Sequence, residues 1–379
     1  MILNKMPSFL TSLDQIHPGA RVCLYGIGEG CLHFLHTLQT HRQDVEIVCL
    51  IDDSHKEVTT SIPIVSSAEL SSFDFDLVLV TSAYWVDISK KIVTLENFEF
   101  KVVESSLLYK HMIFDDDELC IREEQFSQTS ALLTGNSQKS LYALIVASRK
   151  KNPEYQQVLY DFFHANRKTM GREYLEYIHP EAFSTIIEGG VFDGSDTGEF
   201  IKLLAEDGTI YGFDPNLTSL NDDPGFRQNP KVRLYPVALW NSRATLNFFS
   251  NASNRPGARI LADGETVAEM RVISAISIDE FIEEQSIDKV DFIKLDVEGA
   301  ELEVLRGAVA TLKNHRPQMA ICIYHAKEHL FQIPLYLDSI LENYHYHIGH
   351  YSPTFWDTVW YAVPDEIVGC IGDNSKGRL

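Results

Sequence analysis

The chemistry in this chain is concentrated in carboxylates set beside glycines. Ile186-Ile187 run into Glu188-Gly189-Gly190-Val191-Phe192-Asp193-Gly194-Ser195-Asp196-Thr197, so three acidic side chains surround three glycines. A second run, Phe292-Ile293-Lys294-Leu295-Asp296-Val297-Glu298-Gly299-Ala300-Glu301, puts a lysine and three carboxylates in and after an apolar stretch. Asp214 stands between Phe213 and Pro215, and His325 follows Tyr324. Glycine lets the main chain turn sharply and lie close to a ligand. A dinucleotide loop sets a helix N-terminus against a pyrophosphate, which nearby carboxylates would repel. Glu188, Asp193 and Asp196 suit instead a ligand with positive centres, such as the ammonium and sulfonium of S-adenosylmethionine. The competing reading is an acidic strand-to-helix turn facing water, because short glycine motifs are common.

The elements around these residues predict a parallel sheet with helices on its faces. Ile186 and Ile187 read as a buried strand, and Ser195, Asp196 and Thr197 can each cap the helix that runs to Ala205. After a turn at Glu206-Asp207-Gly208, Thr209–Phe213 is the next strand, stopped by Pro215. Asp214 at its end can accept two hydrogen bonds from a ribose diol. Val232–Val237 is a third strand, and Ala238-Leu239-Trp240 after it suits an adenine face, although Trp240 fits core packing equally. Thr245–Phe249 predicts a short extra strand. The stretch from Asn251 to Asp263, with Arg255 and Arg259, reads as a surface loop that shapes the substrate pocket. Ile276–Phe281 leads into a helix with Asp279 as its cap. Asp291–Leu295 is a strand followed by a helix over Leu302–Leu312, and Gln318–Ile323 and Thr358–Val363 are further strands. Asp214, Asp296 and His325 therefore fall on one sheet edge, where open α/β sheets bind ligands. His325 also titrates in the range of a general base. His325 and His329 lie one helical turn apart, with no third metal ligand evident. His345, His347 and His350 read as partly buried, hydrogen-bonded rings.

The first hundred residues carry a smaller version of the same alternation. Strands at Arg21–Tyr25, Glu46–Ile51, Leu77–Val80 and Lys101–Val103 flank a helix over residues 31–40, with Leu32, Leu35 and Leu38 on one side. The turn Gly26-Ile27-Gly28-Glu29-Gly30 and the acidic pair Asp52-Asp53 match a nucleotide site in outline, but the third glycine is out of place. The alternative is a degenerate fold used for docking or dimerisation. Between Glu104 and Tyr177 the pattern predicts a turn at Asp115-Asp116-Asp117 and helices over Ser140–Ala147 and Tyr155–Phe163. The organisation that follows is a Rossmann-like N-terminal domain over 1–108, a helical linker or cap over 109–173, and a second α/β domain over 174–379.

Composition narrows the partners. With 379 residues, 45% hydrophobic and 23% charged, the chain has the make-up of a soluble globular protein of two domains. A net charge of −22 with no basic face disfavours nucleic acid, and no apolar run is long enough to span a membrane. The first fourteen residues lack the order of a secretory signal. The six cysteines, at 23, 31, 49, 120, 322 and 370, form no Cys-x-x-Cys pair. A reduced, cytoplasmic protein without a disulfide framework or zinc site is expected.

Five segments occur in order: Ile187–Gly194, Phe213–Asn216, Val237–Leu239, Ser277–Phe281 and Phe292–Glu301. Together they resemble the FkbM-type methyltransferases. Glu188 stands where that family more often has Asp, and Asp214 where it more often has Glu; both keep the carboxylate. The resemblance implies a class I methyltransferase sheet of seven strands, the last antiparallel, with S-adenosylmethionine as cofactor and O-methyl transfer to a sugar or natural product. The N-terminal part is similar to the degenerate nucleotide-binding folds ahead of some such domains, and it offers a route to homo-oligomers. On this reading the cofactor's methionine end sits over Glu188, Gly190, Phe192, Asp193, Gly194 and Thr197. Its ribose reaches Asp214 and Pro215, its adenine Ala238, Leu239 and Trp240, and its methyl points toward Asp296 and His325. His325 or Asp296 is the expected base, with Lys294 or Glu298 orienting the partners. A divalent ion on Asp296 and Glu298 is an alternative, but these residues supply too few assured ligands, so no metal is assigned. The rival functions are a nicotinamide-dependent oxidoreductase using the N-terminal turn and a non-catalytic scaffold of two α/β domains.

Overall fold

Val22, Cys23 and Leu24 are completely buried, and so are Leu50, Ile51, Val78, Leu79 and Val80. Strands buried on both faces belong in a parallel sheet covered by helices. That is the arrangement of the first of two units in the computed structural model, which describes residues 6–54, 60–95, 98–180, 182–217, 228–249, 259–261 and 270–368. This unit comprises Met1–Cys120, Leu144–Ala165 and Pro353–Phe355; the second comprises Ile121–Ala143, Asn166–Ser352 and Trp356–Leu379. The helical stretch in the middle of the chain is thus shared between the units.

In the first unit six parallel strands are β1 (Phe9–Leu10), β2 (Arg21–Tyr25), β3 (Glu46–Ile51), β4 (Ile64–Val65), β5 (Leu77–Val80) and β6 (Phe100–Val103), ordered β1-β6-β5-β2-β3-β4. The helix Glu29–His41 buries Cys31, Phe34, Leu35 and Leu38, an i, i+3, i+4, i+7 stripe. Leu32, expected on that face, is instead 38% exposed. The carboxylates at the end of β3 are used inside the unit. Asp52 accepts hydrogen bonds from the Ile27 and Ser54 N–H groups. Asp53 accepts from Ser67 N and Oγ and pairs with Lys91 at 2.8 Å. Asp115-Asp116-Asp117 is not a turn. The helix Asp116–Leu132 starts there, with Asp115 and Glu118 capping each other reciprocally at 2.8 and 2.9 Å.

The second unit is built on β7 (Phe183–Gly189), β8 (Leu204–Phe213), β9 (Val232–Tyr235), β14 (Phe292–Leu295), β15 (Gln318–Cys322), β16 (Tyr344–His350) and β17 (Thr358–Pro364). Their order is β16-β17-β15-β14-β7-β8-β9, and β17, the last in sequence, is antiparallel to both its neighbours. The chain winds outward from β7 in one direction through β8 and β9, and in the other from β14 through β15. The switch therefore lies between β7 and β14, and a crevice opens at their C-terminal ends. A small second sheet, ordered β10-β13-β11-β12, is formed by β10 (Ala238–Leu239), β11 (Ala244–Phe249), β12 (Arg259–Ile260) and β13 (Met270–Ile276). Most of the expected surface loop between Asn251 and Asp263, Arg255 included, lies outside the described residues, as does Cys370.

Three local expectations change. Glu206-Asp207-Gly208 lies inside β8, where the register jumps and a Cβ on Gly208 would stand 2.5 Å from the Phe183 carbonyl. The helix over Leu302–Leu312 is two helices, Glu301–Arg306 and Val309–His315. They part at Gly307, where a Cβ would meet the Trp240 carbonyl at 2.4 Å. Ser277, not Asp279, caps the helix Ile278–Gln285 through a reciprocal box with Glu280. Asp279 instead accepts from the Ala310 and Thr311 N–H groups. Among the described residues no helix is long and apolar enough to cross a membrane.

Candidate active-site cleft

Gly189 ends β7 between Phe213 on β8 and Leu295 on β14, so three strands deliver their next residues to one place. Gly190 then turns with φ +79°, donating its N–H to Phe213 O at 2.9 Å. A Cβ on Gly190 would lie 1.8 Å from the Asp296 carbonyl oxygen, so only glycine lets the two strand ends close up. Lys294 fastens this turn from beneath. Its buried Nζ donates to Gly190 O at 2.6 Å and lies 3.8 Å from Asp296 and 3.9 Å from Asp196. Burial works against the Lys294 charge, but Asp296, Glu188 and Asp196 outweigh it and raise its pKa.

The cleft above is lined along one wall by Gly190–Asp193, Ser195 and Asp196, and along another by Phe213–Asn216. Ala238 and Leu239 with Phe248 and Ile260 of the small sheet form a third, apolar wall. Lys294, Asp296–Glu298, Ala300 and Tyr324 close the remaining side. Asp214 is positioned by the strand it ends, where Phe213 stacks on Tyr235 at 5.3 Å and meets Phe281 edge-on at 4.8 Å. Its two oxygens each accept one backbone hydrogen bond, from Phe192 N at 3.0 Å and Asn216 N at 2.7 Å. A carboxylate oxygen has a second lone pair, so both remain able to accept from a diol. Phe192 itself sits at φ +50° with its ring 53% exposed at the lip.

Of the expected site residues, Gly190, Phe192, Asp193, Asp214, Pro215, Ala238, Leu239, Lys294, Asp296 and Glu298 line the cleft. Glu188, Gly194, Thr197, Trp240 and His325 do not. Glu188 lies below the floor, completely buried, accepting from Thr197 Oγ1 at 2.7 Å. Burial, offset in part by Lys294, pushes its pKa up to about 7. Its side chain and that of Thr197 thus support the turn rather than face a ligand. Gly194, at φ +83°, is the N-cap of the helix Ser195–Phe200. Trp240, half-buried, packs against Ala238, Phe248, Ile273 and Ala275 of the small sheet.

At the inner end, Asp296 accepts from two tyrosines that the sequence did not single out as ligands to it. Tyr174 OH donates to Oδ2 at 2.9 Å and Tyr324 OH to Oδ1 at 3.2 Å. Burial raises the Asp296 pKa, but Lys294 and His325 outweigh it and the net shift is downward. His325 is clasped by acids. Nε2 lies 3.4 Å from Asp296 and 3.4 Å from Glu298, and Nδ1 lies 2.8 Å from Glu301. Burial alone would lower its pKa; Glu301, Glu298 and Asp296 instead push it up to about 10. With its proton so held, the imidazole on its own is a poor acceptor of another at neutral pH. Glu301 is the residue that sequence reasoning missed. It is completely buried, accepts from Val297 N at 2.9 Å, and lies 3.3 Å from His329 Nδ1, between the two histidines. In sequence it reads only as an acidic residue in a helix's first turn.

Residues 190–348 match the family model described as the methyltransferase FkbM domain, and residues 19–103 match that described as C2185-like, N-terminal. Among solved structures, the methyltransferase FkbM from Methylobacillus flagellatus KT is 18% identical, with 92% of each chain covered and a TM-score of 0.62, a likeness of fold. The fibrillarin pre-rRNA processing protein of Methanococcus jannaschii is 15% identical over 49% of this chain and 68% of its own, but its TM-score of 0.28 carries no argument. No curated protein matches the chain.

Proposed function

We propose that the chain moves the methyl group of S-adenosylmethionine to a hydroxyl of a sugar or other small acceptor, a reading supported by the match of residues 190–348 to the methyltransferase FkbM domain model. The observation that carries this is the single cleft at the switch point, with Asp214 on one wall and Asp296 on the other. Asp214 is suited to the ribose diol, the apolar wall of Ala238, Leu239, Phe248 and Ile260 to the adenine, and Asp193 and Asp196 to the cationic methionine end. In the reaction the carbon–sulfur bond breaks with its electron pair left on sulfur, a carbon–oxygen bond forms, and the hydroxyl proton passes to a base. Sulfonium is a good leaving group, so alignment supplies much of the rate. Asp296, held in place by Tyr174, Tyr324 and Lys294, is the carboxylate nearest the end where the methyl must leave, with His325 and Glu298 behind it. The N-terminal turn favours no rival: Asp52 and Asp53 are committed to internal partners.

Calorimetry with S-adenosylhomocysteine and with NAD tests the cofactor, and methyl transfer to a panel of saccharides tests the reaction. Binding of S-adenosylhomocysteine that Asp214→Ala weakens by about 10²-fold, with no NAD binding, is expected. Wild-type transfer rates in both Asp296→Asn and His325→Ala would remove the assignment of the inner end.

A further inference from the structure

We propose that Asp296, Glu301 and His325 form a binding site for a divalent cation at the inner end of the cleft. A carboxylate oxygen of each acid and a ring nitrogen of the histidine lie within 4.8 Å of one another. They come from three elements: the end of β14, the first turn of the helix Glu301–Arg306, and the segment after β15. Glu301 is completely buried and the His325 side chain is 8% exposed. Neither His325 nitrogen makes a hydrogen bond of acceptable direction, although oxygens approach to 2.8 and 3.4 Å, and Glu301 Oε2 has none either. Buried polar atoms without aligned partners are costly and uncommon. A cation among them would take one oxygen each of Asp296 and Glu301 and one ring nitrogen of His325.

The surroundings suit ligation. Asp296 Oδ2 is taken by Tyr174 OH and faces Lys294, while Oδ1, which accepts from Tyr324 OH at 3.2 Å, keeps a second lone pair and lies 3.4 Å from His325. Glu301 Oε1 is oriented by the Val297 N–H at 2.9 Å, and His329 Nδ1 lies 3.3 Å from Oε2. Partners of this outer kind fix the direction of metal ligands. One imidazole with two carboxylates favours Mn²⁺ or Zn²⁺ over Mg²⁺, which prefers oxygen donors and its own water. Asp296 lines the cleft, so the ion would have an open position toward the acceptor. The use of the ion rests on the methyltransferase reading: it would lower the pKa of the acceptor hydroxyl. Its presence does not rest on that reading.

The test is titration of the full chain, stripped with chelator, with Mn²⁺ followed by electron paramagnetic resonance and with Zn²⁺ followed by calorimetry. S-Adenosylhomocysteine binding is measured on the same samples. One ion per chain is expected, with affinity at least about tenfold weaker in Glu301→Gln and in His325→Gln. Asp296→Asn serves if either variant fails to fold. Wild-type protein that binds S-adenosylhomocysteine yet takes up neither ion overturns the proposal, as does undiminished uptake by folded variants. An ion bound stoichiometrically by protein that does not bind S-adenosylhomocysteine would instead refute the methyltransferase reading and leave the site standing.

Discussion

Replacing Gly190 by alanine should damage the protein far more than the added methyl suggests. Two costs are separable. The first is the backbone: Gly190 is at φ +79°, and an L-residue in the left-handed region loses about 1–2 kcal/mol. The second is contact: the new Cβ would stand 1.8 Å from Asp296 O and 2.9 Å from Asp296 C. Backbone atoms cannot swing aside, so β7 and β14 must part by roughly 1 Å, at a further cost of about 1–3 kcal/mol or more. Gly135→Ala is the matched control, since Gly135 has φ +82° in the same unit but a methyl added there would meet nothing within 4 Å. Denaturant unfolding should therefore give about 1–2 kcal/mol for Gly135→Ala and about 2–5 kcal/mol for Gly190→Ala. The parted strands carry Asp296 and the Lys294 bond to Gly190 O with them, so methyl transfer should fall by about 10² or more even where the variant folds. Equal losses of stability in the two variants would refute the close approach of the strands.

Two further outcomes follow from the geometry. Asp214→Ala should weaken S-adenosylhomocysteine binding by about 10²-fold, because two charge-assisted hydrogen bonds to the ribose and the tether on Phe192 N are lost together; calorimetry showing less than about a threefold change would exclude Asp214 from the ribose. His347 stacks on Tyr177 at 4.6 Å, and burial, with His345 and His179 nearby, lowers its pKa to about 4. The unfolded ring takes up a proton as pH falls below about 6.5 while the folded one does not until about 4, so stability declines across that window by on the order of 2 kcal/mol. His347→Gln should flatten this part of a pH–melting curve, and an unchanged slope would count against it.

How much was legible in the sequence depends on which physical rule placed each residue. Asp214 and Asp296 were readable because an acid directly after an apolar strand has to sit at the sheet's C-terminal edge. A parallel sheet covered by helices came with them, since strands alternating with helices imply one. Glu188 was harder. Period-two alternation says which face a side chain takes, not whether a ligand or a threonine meets it, and Thr197 is what Glu188 finds. Trp240 likewise packs against a small sheet whose strands could not be paired from sequence. Tyr174, at φ +61° and 122 positions from Asp296, and Glu301, wedged between two histidines, depend on tertiary closure and leave no local trace.

The acidic rim has a consequence for turnover. On the proposed reaction, transfer would remove the positive charge from the donor's sulfur, while Asp193 and Asp196 stay in the wall of the cleft. On that reading the spent molecule would lose part of the attraction that draws the fresh one in, and a cell in which both circulate would see the cleft reload rather than clog. That bias needs no moving part; it is set by where folding leaves the negative groups.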